Sequence, residues 1–374
     1  MTKVLVTGAF GLIGSFTVDL LVEKGYSVIG LDNLERQVHM GRMPSYKNER
    51  AEYVIGDIRH RRTWAKVLRG VEYVIHLAAS VGMAQSFWQP RKYMEVNVTG
   101  TATMFETIVR DVEIRRNIRK IVVASSKSIY GEGSYRCKFH GVFHPPPRSV
   151  EQLRRRDWEV RCPVCGVESL PVGIREDKPP QNPTPYALSK YATEVLASIY
   201  SAVLGIPFVA FRYFNVYGPR QSLSNPYTGV IAIFLSRIKN NKPPIVYEDG
   251  KQMRDFVYVE DVARLNVEAI ENEASGVFNL GTGEPHSLLE VIEMLKKIYG
   301  SDVEPYITQE YRPGDNRHDF ADTTKLRRHF KNTSFTPLSK GLERLVEWAR
   351  EVHAIDRVDR AERERVKFLG RFDS

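Results

Sequence analysis

Short apolar runs of β-forming residues alternate with helical repeats along most of this chain. Lys3-Val4-Leu5-Val6 predicts a first strand, and Phe16, Leu20 and Leu21 predict a helix ending at Lys24-Gly25. Ser27-Val28-Ile29-Gly30-Leu31 predicts a second strand closing on Asp32, and residues 53–58 a third. The polar, Gly- and Pro-containing stretch between them, to about residue 50, reads as a loop. Further on, the pattern predicts a helix at 62–68, a buried strand at 71–79, and a long helix opening at Asn97 and running to 109. A strand at 120–124 and a helix starting at Pro185 follow. The second half predicts helices at 231–239 and 288–298 and a strand at 245–247 before the turn Glu248-Asp249-Gly250. Strands that are apolar on both faces, separated by amphipathic helices, are the mark of an α/β protein with a covered parallel sheet.

The first strand is followed at once by Thr7-Gly8-Ala9-Phe10-Gly11-Leu12-Ile13-Gly14. Strand, glycine turn, helix, strand and terminal acid form one dinucleotide-binding βαβ unit. Gly8 permits the tight turn, Gly11 lets backbone reach a pyrophosphate, and Gly14 lets helix and strand pack closely. The helix start then presents free N–H groups to the phosphates. Asp32 accepts from the adenosine ribose hydroxyls and repels a 2′-phosphate, which favours NAD over NADP. The fold expected is therefore a Rossmann-type doubly wound parallel sheet with a smaller C-terminal α/β domain. Residues 1–215 form the NAD-binding part, with 256–275 returning to it. Residues 131–181 are an insertion, 216–350 a substrate domain, and 351–374 a charged tail, a solvated helix or disordered.

Composition changes this picture little. A chain of 374 residues, 42% hydrophobic and 26% charged, is ordinary for a globular protein. No apolar stretch approaches a membrane span, and the strand at Lys3 leaves no room for a signal peptide, which predicts a cytoplasmic protein with no membrane partner. The net charge of +9 comes without a nucleic-acid motif, so it points to a phosphorylated substrate or a solvated basic surface.

The candidate chemistry lies at strand ends. Ser125 and Ser126 end the 120–124 strand, where α/β sheets place ligands. Tyr186 and Lys190 are four residues apart, hence on one helical face. Behind a dinucleotide-binding unit, Ser126, Tyr186 and Lys190 read as a catalytic set: a tyrosine base, a lysine whose charge favours the phenolate, and a relaying serine. Leu77, Ala78 and Ala79 end a strand in small residues against which a flat cofactor can lie. Asp57 is placed to accept from the adenine amino group with Ile58 against the ring, although a polar strand end fits the spacing equally. His76 reads as a hydrogen-bonded core histidine, and Asn97 as a pin for the active-site loops.

Tyr186-x-x-x-Lys190, Ser126, the glycine turn and the Arg212–Arg220 segment (RYFNVYGPR) resemble the extended short-chain dehydrogenase/reductases that act on nucleotide sugars. The stretches at 254–262, 278–283 and 312–315 are similar to the same family, and the likeness runs from Lys3 to about Trp348. The resemblance implies NAD as cofactor, with Phe10, Leu12, Ile13, Asn33, Asn97, Ser125 and Phe214 joining the residues above around it. It implies a dTDP- or UDP-linked sugar held by Ser126, Asn215, Arg220, Val230, Arg254, Arg312 and Asp315, and a homodimer formed through helices 97–109 and 186–204. A 4,6-dehydratase carries Asp and Glu after the catalytic hydroxyl. Lys127 and Ser128 stand there instead, which implies a 4-epimerase. An NAD-binding interaction protein is the non-enzyme alternative, against which the intact Tyr186, Lys190 and Ser126 argue.

All three cysteines lie in the insertion. Cys137-x-x-His140 and Cys162-x-x-Cys165, with 21 residues between them, have the spacing of two knuckles of a structural zinc site. His144 is an alternative nitrogen, and a reduced metal-free loop the alternative reading. The insertion and the segment 225–230 are also similar to epimerases assigned to dTDP-L-rhamnose, which would make the product dTDP-6-deoxy-L-talose.

Overall fold

The computed structural model describes residues 1–312 and 314–369. Seven parallel strands form its main sheet. Their order across the sheet is Gly276–Leu280, Phe208–Tyr213, Lys120–Ser126, Tyr73–His76, Lys3–Thr7, Ser27–Asp32 and Glu52–Ile55. Residues alternate between faces, so Val4 and Val6 pack with Val18, Leu21, Val262 and Leu265 on one side. Leu5 packs with Trp64, Met104 and Ile108 on the other. Both faces are buried, which is why these strands read as unbroken apolar runs. The chain reverses its strand order between Lys3–Thr7 and Tyr73–His76, and a crevice opens there at the carboxyl ends.

The helix Val259–Glu271 packs on Leu12–Glu23 and so belongs to the dinucleotide-binding part. Gly276–Leu280, which the sequence division placed in the substrate domain, also joins the main sheet, as its edge strand. The second lobe gathers the helices Val230–Lys239, Leu288–Tyr299 and Leu338–Glu351 around a core of Phe234, Leu235, Leu295 and Leu342.

Three further expectations need correction. The helix expected to open at Asn97 begins earlier: it passes from Pro90–Tyr93 through a π-helical turn, Met94–Thr99, into Gly100–Arg110. Asn97 thus lies in the wide turn, a form common at functional sites. The loop after Asp32 contains one helical turn, Arg36–His39. The charged tail is a helix, Val358–Leu369, as one of its two readings had it, but it is not solvated all round: its charges pair with groups on the second lobe. The last five positions assigned to the tail, 370–374, lie outside the described residues.

The insertion folds as a three-stranded antiparallel sheet, Ser134–Cys137 flanked by Gly141–Phe143 and Leu170–Val172. Buried ion pairs bind it to the second lobe. Arg148 pairs with Glu248 at 2.7 Å, and the fully buried Arg317 reaches Asp249 at 2.6 Å and Glu159 of the insertion. Breaking one side of such a pair costs about 3–5 kcal/mol, because the other charge is left uncompensated.

Candidate active site

At the cofactor end, the glycines are required by contact as well as by turn geometry. Gly8 has φ +68°, and a Cβ on Gly14 would sit 2.0 Å from the Gly8 carbonyl oxygen. The helix Leu12–Glu23 starts after Gly11 with no side-chain cap, so the amides of its first turn remain for an anion. Asp32 is buried, and its two carboxylate oxygens accept from the amides of Phe10 (3.1 Å) and Leu34 (2.8 Å), which fixes the loop around it. These features fit a dinucleotide lying across the turn. Leu12, Ile13, Asn33, Ile58, Leu77, Ala78, Ala79 and Phe214 line the same crevice. Phe10 lines it too, its buried ring stacked on Tyr53.

Two of the expected cofactor contacts fall behind the wall. Asp57 is not among the residues lining the crevice, and Arg59 holds its carboxylate in a two-pronged pair of 2.7 and 3.0 Å. Burial opposes its charge, but the Arg59 hydrogen bonds outweigh this and bring its pKa to about 2. Asn97 is fully engaged as a brace: its side chain accepts from the Ser80 amide and donates to the Ser80 carbonyl and the Ser189 hydroxyl. Ser125 lines the crevice, but its hydroxyl donates to Glu194, which also pairs with Arg212. His76 is a core residue between Thr7 and Thr101, and burial lowers its pKa to about 3, so it is neutral.

Thr184 caps the helix Pro185–Leu204 by accepting from the Ala187 amide, and Pro185 occupies its first position. That start fixes Tyr186 in the first turn and Lys190 one turn on. Tyr186 sits beside Ser126, which favours its anion, and the Ser126 hydroxyl accepts from Ser128 Oγ at 2.9 Å. The sequence expectation was that Lys190 draws the tyrosine toward its anion. Burial dominates instead, raising Tyr186 and lowering Lys190 to about 8.

This burial carries a stability prediction. The lysine's pKa falls from 10.5 to about 8, so its charged form costs folding roughly 3 kcal/mol at most. The cost is complete below pH 8 and vanishes as pH approaches 10.5, where the unfolded chain also loses the proton. Lys190→Met is therefore expected to raise the melting temperature of cofactor-free protein at pH 7, with the gain shrinking between pH 8 and 10.5. An unchanged or lowered melting temperature at pH 7 would contradict this placement of Lys190.

The crevice continues past Tyr186 into the second lobe as one cavity of about 1160 Å³, above the usual range for a single small ligand. Asn215, Val230, Arg254, Arg312 and Asp315 all line this cavity. The Asn215 side-chain nitrogen is buried without a hydrogen-bond partner among the described residues. Arg312 pairs with Asp315 at 2.8 Å and lies over the Tyr247 ring. Arg254 also donates to the carbonyls of Met253, Asn316 and Arg317 and pairs with Asp319, which fixes its guanidinium at the cavity wall. Asp319 is 1% exposed, and Lys127 compensates it as well, at 2.5 Å. Arg220 sits toward the glycine turn, paired with Asp19 and stacked over Phe16 and Tyr46. Sequence reasoning gave no site role to Trp88, Tyr227, Tyr247 or the C-terminal helix, all of which line the cavity.

In the insertion, the four expected ligands converge. Cys137, His140, Cys162 and Cys165 bring their ligand atoms within 4.8 Å of one another. Cys137 and Cys165 sulfurs are 3.6 Å apart, near the edge of about 3.8 Å that ~2.3 Å zinc–sulfur bonds give a tetrahedron. His144 is not in the group, and its Nδ1 is hydrogen-bonded to Ser134.

Residues 166–281 match the NAD dependent epimerase/dehydratase family, and residues 5–149 match the GDP-mannose 4,6 dehydratase family. The chain is 33% identical to a dTDP-L-rhamnose 4-epimerase of Burkholderia thailandensis, over 92% of this chain and 94% of that protein. It is 34% identical to a putative UDP-glucose 4-epimerase of Methanocaldococcus jannaschii, over 92% and 97%. Its fold resembles the UDP-glucuronic acid 4-epimerase from Bacillus cereus in complex with UDP-glucuronic acid and NAD, with a TM-score of 0.76. That structure shares 27% identity over 94% of this chain and all of the other.

Proposed function

The chain belongs to the extended short-chain dehydrogenase/reductases, in the NAD-dependent epimerase/dehydratase family, and from that premise we propose that it inverts C4 of a nucleotide sugar, dTDP-L-rhamnose to dTDP-6-deoxy-L-talose. The observation that carries this reading is that Ser126, Tyr186 and Lys190 line one cavity between the glycine turn and the second lobe's Asn215, Arg254 and Arg312. Bound NAD would accept the C4 hydride and return it, and its cationic ring would offset the burial that keeps Tyr186 protonated. Tyr186 takes the proton from the O4 hydroxyl and gives it back, and Ser126 orients that hydroxyl. Lys190 supplies positive charge from the same helical face. Lys127 and Ser128 follow Ser126, and neither is a carboxylic acid that could remove water across C5 and C6.

The identity of the sugar rests on similarity, and the Methanocaldococcus relative supports a UDP-hexose as the second reading. Incubation with dTDP-L-rhamnose, UDP-glucose and UDP-glucuronate, with products identified by NMR, separates the two. Conversion of dTDP-L-rhamnose to a C4 epimer at the highest kcat/KM is the expected result. Turnover of UDP-glucose alone would replace it.

The same reading assigns a structural zinc to Cys137, His140, Cys162 and Cys165. It also assigns a homodimer interface to the exposed Leu188, Ile199 and Val203 of the tyrosine helix with Val109 of Gly100–Arg110. A solution mass of twice the 42.8 kDa chain is expected. No helix among the described residues is long and apolar enough to cross a membrane.

A further inference from the structure

The chain leaves the strand Lys120–Ser126 through a short helical turn, Lys127–Tyr130, and Lys127 enters the cavity wall one residue after Ser126. Its side chain is 9% exposed, and its ammonium donates to Asp319 at 2.5 Å. Burial lowers the pKa of this group and Asp319 opposes the shift. Arg254 and Asp315, both in the cavity wall, are close enough to act on the same charge. The side chain thus runs from the serine beside Tyr186 toward the second-lobe end of the cavity.

Asp319 does not need this cation. Arg254 pairs with it at 3.3 Å, and Asn316 donates to it at 2.6 Å. Two cations on one carboxylate leave one positive charge over, and the nearby Asp315 is already paired with Arg312. Burying an ammonium is costly unless its donors are met. It has three N–H groups, and Asp319 takes one; none of the other described residues accepts a hydrogen bond from it. A pyranose that reacts at C4 and is linked to a diphosphate at C1 carries hydroxyls on C2 and C3, between those two points. We infer that Lys127 is a sugar-binding residue that donates to the hydroxyl on C2 or C3 and thereby helps select the sugar. A site built to bond a hydroxyl rejects the analogue lacking it, because its buried donor is then left unmet. The inference rests on the nucleotide-sugar reading above.

The test uses NAD-loaded full-length enzyme and whichever of dTDP-L-rhamnose, UDP-glucose and UDP-glucuronate it turns over best. The 2-deoxy and 3-deoxy analogues of that substrate are compared with it, and the matching nucleoside diphosphate serves as a competitive inhibitor. Wild type should lose about ten- to a hundredfold in kcat/KM on one of the two analogues. Lys127→Met should lose a similar factor on the parent substrate and little more on that analogue, because the bond is already gone. Its inhibition by the bare nucleoside diphosphate should stay within about twofold of wild type. The variant should fold, with NAD bound, because Arg254 and Asn316 still hold Asp319. Should it fail to fold, the two analogues on wild type decide alone. Turnover of both within about threefold of the parent overturns the inference. So does a Lys127→Met enzyme that weakens the bare nucleotide as much as the sugar nucleotide, which would assign the charge to the phosphates. Either result leaves the nucleotide-sugar reading standing. Wild type that turns over none of the three sugars overturns that reading and this inference with it.

Discussion

Replacing Tyr186 with phenylalanine is expected to lower kcat by about 10³, with the fold retained and NAD still bound. The substitution removes one oxygen, the only group on that side chain able to take a proton. The ring keeps its place because the Thr184 cap and Pro185 set the helix start independently of the hydroxyl. Ser126 cannot take over as base: an unperturbed hydroxyl is a far weaker acid than a phenol, and its oxygen already accepts from Ser128. Steady-state kinetics on the preferred sugar, with bound NAD measured by absorbance after denaturation, check this directly. A variant with kcat within tenfold of wild type would remove Tyr186 from the chemistry.

The second large effect is expected in the insertion. Wild type should carry about one zinc per chain, and Cys162→Ser should lose it. A structural zinc contributes its binding free energy to folding, an apparent 10–16 kcal/mol in isolated zinc-finger peptides. Here the outcome should be local, because Arg148 and Arg317 tie the insertion to the second lobe independently of the four ligands. Limited proteolysis should cut the variant between 137 and 166 while the main sheet stays intact, and metal analysis should report the loss. Wild type grown with zinc and found free of it would leave four reduced side chains and no metal site.

What could be read in advance was whatever one stretch of chain decides for itself. The βαβ unit is of that kind: the close approach of Gly14 to Gly8, the buried Asp32 and the two-faced strands are encoded within 32 residues. The Tyr186–Lys190 spacing is likewise local. The misreadings involve partners distant in sequence. Asp319, which Arg254 shares with Lys127, was given no site role because both cations reach it from far along the chain. Asp57 is the exception, because Arg59, two residues on, folds back on it. The tail looked solvated because its charges can pair along the helix, as Arg360 does with Glu364, whereas Arg237, Tyr227 and Tyr247 also reach it from the second lobe. Asn97 pins the active-site loops as expected, through Ser80 and Ser189, but from a π turn that helix propensity cannot register.

The central claim is that a proton taken by Tyr186 and a hydride lifted from C4 are both returned to the same sugar. Supplying the preferred nucleotide sugar with deuterium at C4 tests it most directly. NMR of the products should show the C4 epimer with deuterium still on C4 and no build-up of reduced cofactor. Deuterium at C6, in released reduced cofactor, or lost to solvent would show that the hydride does not come back to C4, and the epimerase account would fall.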